Sequence, residues 1–168
     1  NSWQLIQQTH KKDSRIKGLQ FSRNFGHHYA LTAGLDFCKG NSVIFMDGDL
    51  QDPPEEILKL YDKLKEGYDL VYGIRDNRQD NAIKKALSSM FWWGINKVSD
   101  VEMPMNQTML RILKRKLVDS LKEMKEYSRF IHGMIAWTGF DTANIVVSHG
   151  ARLKGTSKYN LKNQISLA

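Results

Sequence analysis

Between residues 16 and 74, apolar runs of strand length alternate with stretches of helical period, and this alternation limits the possible folds more than any other feature. "IKGLQFS" (residues 16–22) reads as a short strand. "GHHYALTAGLDFCKG" reads as a helix, with Tyr29, Ala30, Ala33, Leu35 and Phe37 as apolar positions and Gly40 near its end. "SVIFMD" (42–47) is a continuous apolar run, as expected of a strand covered on both faces. "DPPEEILKLYDKLKEG" has prolines in its first turn, acids early, lysines late and Gly67 as a stop, which together mark a helix. "YDLVYGI" (68–74) is the next strand. Strand, helix, strand, helix, strand at this spacing calls for right-handed crossovers, so the first half predicts an α/β fold with a largely parallel sheet.

The flanks are less regular. "SWQLIQQTHKK" predicts a helix with Ser2 as N-cap and Trp3, Leu5 and Ile6 on one face. Beyond the polar loop "RDNRQDN", residues 82–98 form an amphipathic pattern heavy in aromatics. "QTMLRILKR" predicts a strand, "KLVDSLKEMKE" and "SRFIHGMIAWTGF" helices, and "TANIVVSH" a strand, ahead of the basic loop "GARLKGTSKY". At 168 residues the chain suits one domain with a sizeable core. It begins at Asn1 without Met and stops within "LKNQISLA", so a piece of a longer protein is expected.

Composition narrows the function classes. No run of about 18 apolar residues occurs, and the single cysteine, Cys38, excludes an internal disulfide framework and a cysteine-based zinc site. Cys38 reads as a small core residue of a helix. A net charge of +7 favours nucleic acid, anionic lipid or phosphate-bearing substrates.

Against that charge, "VIFMDGDLQDPPEE" gathers acids at a strand end, where open α/β sheets bind ligands. Asp47 and Asp49, separated by Gly48, can point to one side of the strand end. Two hard oxygen ligands with an open remainder suit Mg²⁺ or Mn²⁺ bridged to a diphosphate. The simpler reading makes one of these acids a helix cap, and Asp52 is assigned that role. Arg23 and Asn24 occupy a strand-to-helix turn, where Gly26 permits close backbone approach beside a helix N-terminus. The alternative there is a turn with a solvated arginine. His27 and His28 diverge by roughly 100° on a helix, a poor metal pair, and read as packing or hydrogen-bonding residues. Arg152, Lys154, Lys158 and Lys162 surround Gly155, with Thr156 and Ser157 as donors, in a loop suited to close over phosphates or simply to stay solvated. In the 82–98 helix, Trp92 and Trp93 with flanking lysines suit a membrane interface and equally a core-facing helix.

Taken together, "LQFSRNFGHHYALTAGLD", "VIFMDGDLQDPPEEI", "YDLVYGIRDNR", "RFIHGMIAWTGF" and "RLKGTSKY" resemble the polyprenol-phosphate glycosyltransferases of glycosyltransferase family 2. Bactoprenol glucosyltransferases and dolichol-phosphate mannose synthases are of this kind. The segments are collinear, and "LQDPPE" after the D-x-D is far more specific than D-x-D alone. The resemblance implies a GT-A, Rossmann-like sheet flanked by helices, with the first nucleotide-binding strands missing from this chain. It implies a metal-dependent, inverting hexosyltransferase that moves a sugar from a UDP- or GDP-sugar to a polyprenyl phosphate in cell-envelope glycan or glycolipid synthesis. The place would be the cytoplasmic face of the cell membrane, with transmembrane segments outside these residues.

Residue by residue, the resemblance gives Asp47 and Asp49 the divalent cation. It gives phosphate or donor contacts to Arg23, Asn24, Gly26, Arg75, Arg78, Arg111, Arg152, Ser157 and Lys158. The membrane surface is an implied partner, nucleic acid is not, and homo-oligomerisation is compatible with it. One departure stands out: "NQTMLR" puts Asn106 and Met109 where many members carry acids, while Arg111 is kept. A phosphate monoester, with a second pKa of about 6, is already nucleophilic at neutral pH, so no base is assigned. Asp100, Glu102 and Glu126 are the fallbacks. Three rivals are weighed. A phosphotransferase of the haloacid dehalogenase kind also places D-x-D after a strand, but "DGDLQDPP" puts prolines where its loop would run. A nucleic-acid-binding module would explain the charge, although no binding motif is present. A catalytically silent family member is the third.

Overall fold

The computed structural model describes residues 1–75, 107–127, 129–148 and 150. Among the described residues the elements run in the order α1 (Ser2–Lys12), α2 (His27–Phe37), β1 (Ser42–Phe45), α3 (Glu56–Lys65), β2 (Leu70–Arg75), β3 (Gln107–Lys114), α4 (Arg115–Glu123), α5 (Ile131–Trp137) and β4 (Thr142–Val147). They form two compact units, Asn1–Val43 with Lys114–Phe140, and Ile44–Leu113 with Asp141–Ala168.

The second unit is organised on a four-stranded sheet in the order β1-β3-β2-β4. β2 runs parallel to β4, with Leu70 opposite Thr142 and Arg75 opposite Val147. β3 runs antiparallel to β2, with Leu70 opposite Leu113 and Tyr72 opposite Arg111. The α/β class expected from the sequence is therefore present, in a sheet that is mixed where a largely parallel one was expected. α3 covers β2 and β4 through its apolar stripe, burying Leu60 and Leu64 against Val71, Leu110, Ile112 and Val147. Gly73 leaves no room for a side chain, since an added Cβ would lie 2.9 Å from the Leu110 carbonyl oxygen and 3.0 Å from Val147. Glycine is required there by space, and the register slips between Tyr72 and Ile74 around it.

In the first unit, α2 packs on α4 and α5, and α4 on α5. Arg115 ties the start of α4 to the segment before β1: its backbone N–H donates to Asn41 O at 2.9 Å and its guanidinium to the Gly40 carbonyl. α1 is capped by Asn1, whose Oδ1 accepts from Trp3 N at 3.2 Å, so the cap falls one residue before the expected Ser2.

Two further expectations need correction. Residues 16–22 form no strand: among the described residues this segment has no ladder partner, and a strand cannot exist without one. Its Ile16, Leu19 and Phe21 are exposed. α3 begins at Glu56 with Glu55 at the N-cap position and no side-chain cap, so Asp52 is not its cap. Pro53 and Pro54 instead supply carbonyls to Glu56 N and Ile57 N, each at 3.1 Å, and start the winding in a turn ahead of the helix proper. Asp52 is buried, at 2% exposure. The aromatic pattern of residues 82–98 lies outside the described residues.

Candidate active site

β1 ends at Phe45, and the chain turns at once through Asp47, Gly48 and Asp49. Asp49 stabilises the turn itself, its Oδ1 accepting from Gln51 N at 3.1 Å. Leu50, between them, has φ of 60°, the left-handed region that a bulky residue occupies at a cost of order 1–3 kcal/mol. Strain of this kind persists only where the surroundings fix the turn. The surroundings here are the chain after β4. Gly150 N donates to Gln51 O at 2.8 Å, and Gln51 Nε2 donates to Gly150 O at 3.4 Å. Glu56, 5% exposed, pairs with Lys59 at 2.8 Å and hydrogen-bonds Ser148. Lys59 above all, with Ser148 adding to it against the cost of burial, holds the Glu56 carboxyl below its usual range.

Asp47 is exposed and Asp49 half-buried, so both have room for a ligand. Arg75 ends β2, level with Val147 at the end of β4, and its Nε is buried with no hydrogen-bond partner among the described residues. The D-x-D turn, Arg75 and the loop after β4 therefore gather at one edge of the sheet.

Arg111 is in a different situation. It is 2% exposed, in the middle of β3, donating from Nη2 to Thr108 O at 2.9 Å and from Nε to Met109 O at 3.4 Å. Burial draws its pKa down to about 10, while Tyr72 and Asp47 favour its charge. The structure thus places it inside the sheet beside the D-x-D turn.

Arg23, Asn24 and Gly26 belong to the other compact unit. Asn24 Oδ1 accepts from Gly26 N at 2.8 Å, Gly26 has φ of 98°, and the Arg23 guanidinium lies 4.4 Å from the Phe25 ring centroid. The glycine is needed for that backbone conformation, a requirement separate from the close backbone approach expected of it. Arg78, Asn106, Arg152, Ser157 and Lys158 lie outside the described residues, as do Asp100 and Glu102. Glu126 is exposed on the first unit.

Several features have no signal in the sequence. The Gln51–Gly150 tie joins positions 99 apart, and the contact of Glu56 with Ser148 is likewise distant in sequence. In the first unit, His28 meets Phe130 at 5.3 Å and His132 at 5.4 Å between ring centroids, which bears out a packing role for it. Burial first, and His27 second, hold the His28 imidazole below the usual histidine range. A group depressed in the fold contributes its full stability above its unfolded pKa of about 6.5, and loses it as pH falls. Thermal melts should therefore show stability falling as pH drops through about 6.5, with a shallower fall in His28→Phe. Equal slopes in the two proteins would contradict this assignment.

Among the described residues, Asp47 and Asp49 are the pair that the sequence offers for a metal. Among the described residues no group of three or more His, Cys, Asp or Glu side chains is placed to hold an ion. Two accessible carboxylates still fit Mg²⁺ or Mn²⁺, because such ions take remaining ligands from water and substrate phosphate. Among the described residues no helix is long and apolar enough to cross a membrane.

Comparison with known proteins gives a concordant result. A profile of "Glycosyl transferase family 2" matches residues 1–132. The chain is 40% identical over 157 residues to the "Uncharacterized glycosyltransferase YkcC" of Bacillus subtilis (strain 168), covering 93% of this chain and 49% of that protein. It is 37% identical over 168 residues to the undecaprenyl-phosphate 4-deoxy-4-formamido-L-arabinose transferase of Pseudomonas fluorescens (strain SBW25), covering 99% of this chain and 49% of that one. With the enzyme of that name from Shewanella sediminis (strain HAW-EB3), identity is 39% over 155 residues, covering 92% and 47%. The chain spans about half the length of the curated relatives it matches.

Proposed function

The chain belongs to glycosyltransferase family 2, and from that premise we propose that it is part of an enzyme moving a sugar from a nucleotide diphosphate sugar to a polyprenyl phosphate. The observation that carries this is the D-x-D turn, strained at Leu50 and tied at Gln51 to Gly150, where the basic stretch "ARLKGTSKY" begins. A turn tied down at Gln51 presents two accessible carboxylates at the ligand-binding edge of an α/β sheet. The names of the Pseudomonas and Shewanella relatives support the choice of a lipid phosphate as acceptor.

In this reading Asp47 and Asp49 would hold Mg²⁺ or Mn²⁺, which when bound would supply positive charge to offset that of the departing diphosphate. Arg75, at the end of β2, and Arg152, Ser157 and Lys158, in the stretch after β4, supply the phosphate contacts. Arg23, Asn24 and Gly26 form the turn assigned to the sugar-nucleotide side. An oxygen of the acceptor phosphate attacks the anomeric carbon from the face opposite the leaving diphosphate, inverting it. That oxygen is already anionic near neutral pH, so the Asn106 position needs no base. The enzyme works at the membrane surface, on its cytoplasmic face, where the net charge of +7 favours anionic lipid.

The test is a panel of UDP- and GDP-sugars given to the protein expressed from its complete reading frame, with Mg²⁺ or Mn²⁺ and a short polyprenyl phosphate. A glycolipid with inverted anomeric configuration is expected from one donor. No glycolipid from any donor, or equal transfer to a non-lipid acceptor, would sink the proposal.

A further inference from the structure

We propose that Arg111 is a resident counter-cation of the aspartate pair, and that it keeps a divalent ion weakly bound at Asp47 and Asp49 until a diphosphate arrives with it. This rests on the reading of that pair given above. β3 lies beside β1 in the sheet, and Asp47 follows β1 by two residues, which brings its carboxylate within electrostatic range of Arg111. The guanidinium cannot swing away. It is held by the Thr108 and Met109 carbonyls, and it lies 5.2 Å from the ring centroid of Tyr72, its partner across β2 and β3. A guanidinium stays charged at neutral pH.

A buried cation is costly without an opposite charge, so Asp47 already serves Arg111 before any metal binds. A divalent ion approaching Asp47 therefore meets a fixed positive charge across the same carboxylate, and the two cations repel. A diphosphate reverses the balance, because its negative charge is attracted by the metal and by Arg111 together. Metal and diphosphate then bind as one unit, which distinguishes this role from direct phosphate contact by an exposed arginine.

Mn²⁺ binding to the whole protein, followed by electron paramagnetic resonance, separates the two roles. Mn²⁺ alone should bind Arg111→Met roughly tenfold more tightly than the unaltered protein, a difference of about 1.4 kcal/mol. Arg111→Lys, which keeps the charge, should stay within about threefold. Unchanged or weaker Mn²⁺ binding by folded Arg111→Met overturns the proposal. A second readout needs no variant: with Mn²⁺ and UDP or GDP bound, paramagnetic broadening should erase the Arg111 Nε–H resonance. A sharp resonance under those conditions also overturns it. Asp47→Asn distinguishes the underlying reading, because Mn²⁺ and nucleotide binding that survives this change removes the metal site itself.

Discussion

Replacing Asp49 with asparagine should lower kcat/KM for sugar transfer by at least about a hundredfold while leaving the fold intact, a loss of roughly 3 kcal/mol of transition-state stabilisation. Asparagine is the informative choice because its side-chain oxygen can still accept from Gln51 N, as Asp49 Oδ1 does at 3.1 Å. The turn survives and only the charge goes. Asp49→Ala removes both, so it should lose the same activity and some stability besides. Asp47→Asn is expected to lose as much activity, because a cation held by two carboxylates and a diphosphate is poorly held by one. Circular dichroism on each variant separates lost chemistry from lost folding. A folded Asp49→Asn protein with near-normal kcat/KM would mean that the pair does not hold the reacting diphosphate.

The second large effect falls on the sheet that carries the turn. Leu110 is fully buried in the cluster of Leu60, Leu64, Val71, Ile112 and Val147. Leu110→Ala should lower stability by about 3 kcal/mol, the lost transfer energy of the side chain plus the cavity it leaves. Collapse around the gap is limited, because the Leu110 backbone carbonyl already lies 2.9 Å from the Cβ position of Gly73. The loss has a functional side: Leu110 precedes Arg111, and β3 lies between β1 and β2, so loosening it disturbs the strand that leads into Asp47. Urea denaturation should show the midpoint falling with little change in slope. A change under about 1 kcal/mol would place Leu110 outside the core.

The helices were the most legible part of the sequence, since the period of residues 27–37 and 56–65 is a local signal that needs no knowledge of the partner. Strands were legible only where their partners are in place. β1, β2, β3 and β4 all form where alternation or an apolar run suggested them, whereas residues 16–22 have strand composition and no ladder. Sheet direction was beyond reach, because the antiparallel placement of β3 follows a long intervening segment rather than a short crossover. At the site, the D-x-D turn could be read because its prolines and acids are contiguous. Asp52 was misassigned because its spacing to Pro53 suits a cap, while the helix starts three residues beyond that proline. Gln51, Glu56 and Ser148 could not be found by any motif, since Gln51 meets Gly150 and Glu56 meets Ser148 only through contacts distant in sequence. Arg111 was marked as kept, but its burial shows only once Tyr72 and Thr108 surround it.

The most direct test of the central claim, that Asp47 and Asp49 act through a divalent cation on a sugar-nucleotide diphosphate, is the rate of glycolipid formation before and after chelation. With its preferred donor and polyprenyl phosphate, the protein should lose nearly all transfer in excess EDTA and regain it when Mg²⁺ or Mn²⁺ is restored, whereas the Asp49→Asn protein should stay inactive with either ion. Transfer that continues at full rate in EDTA would contradict the claim.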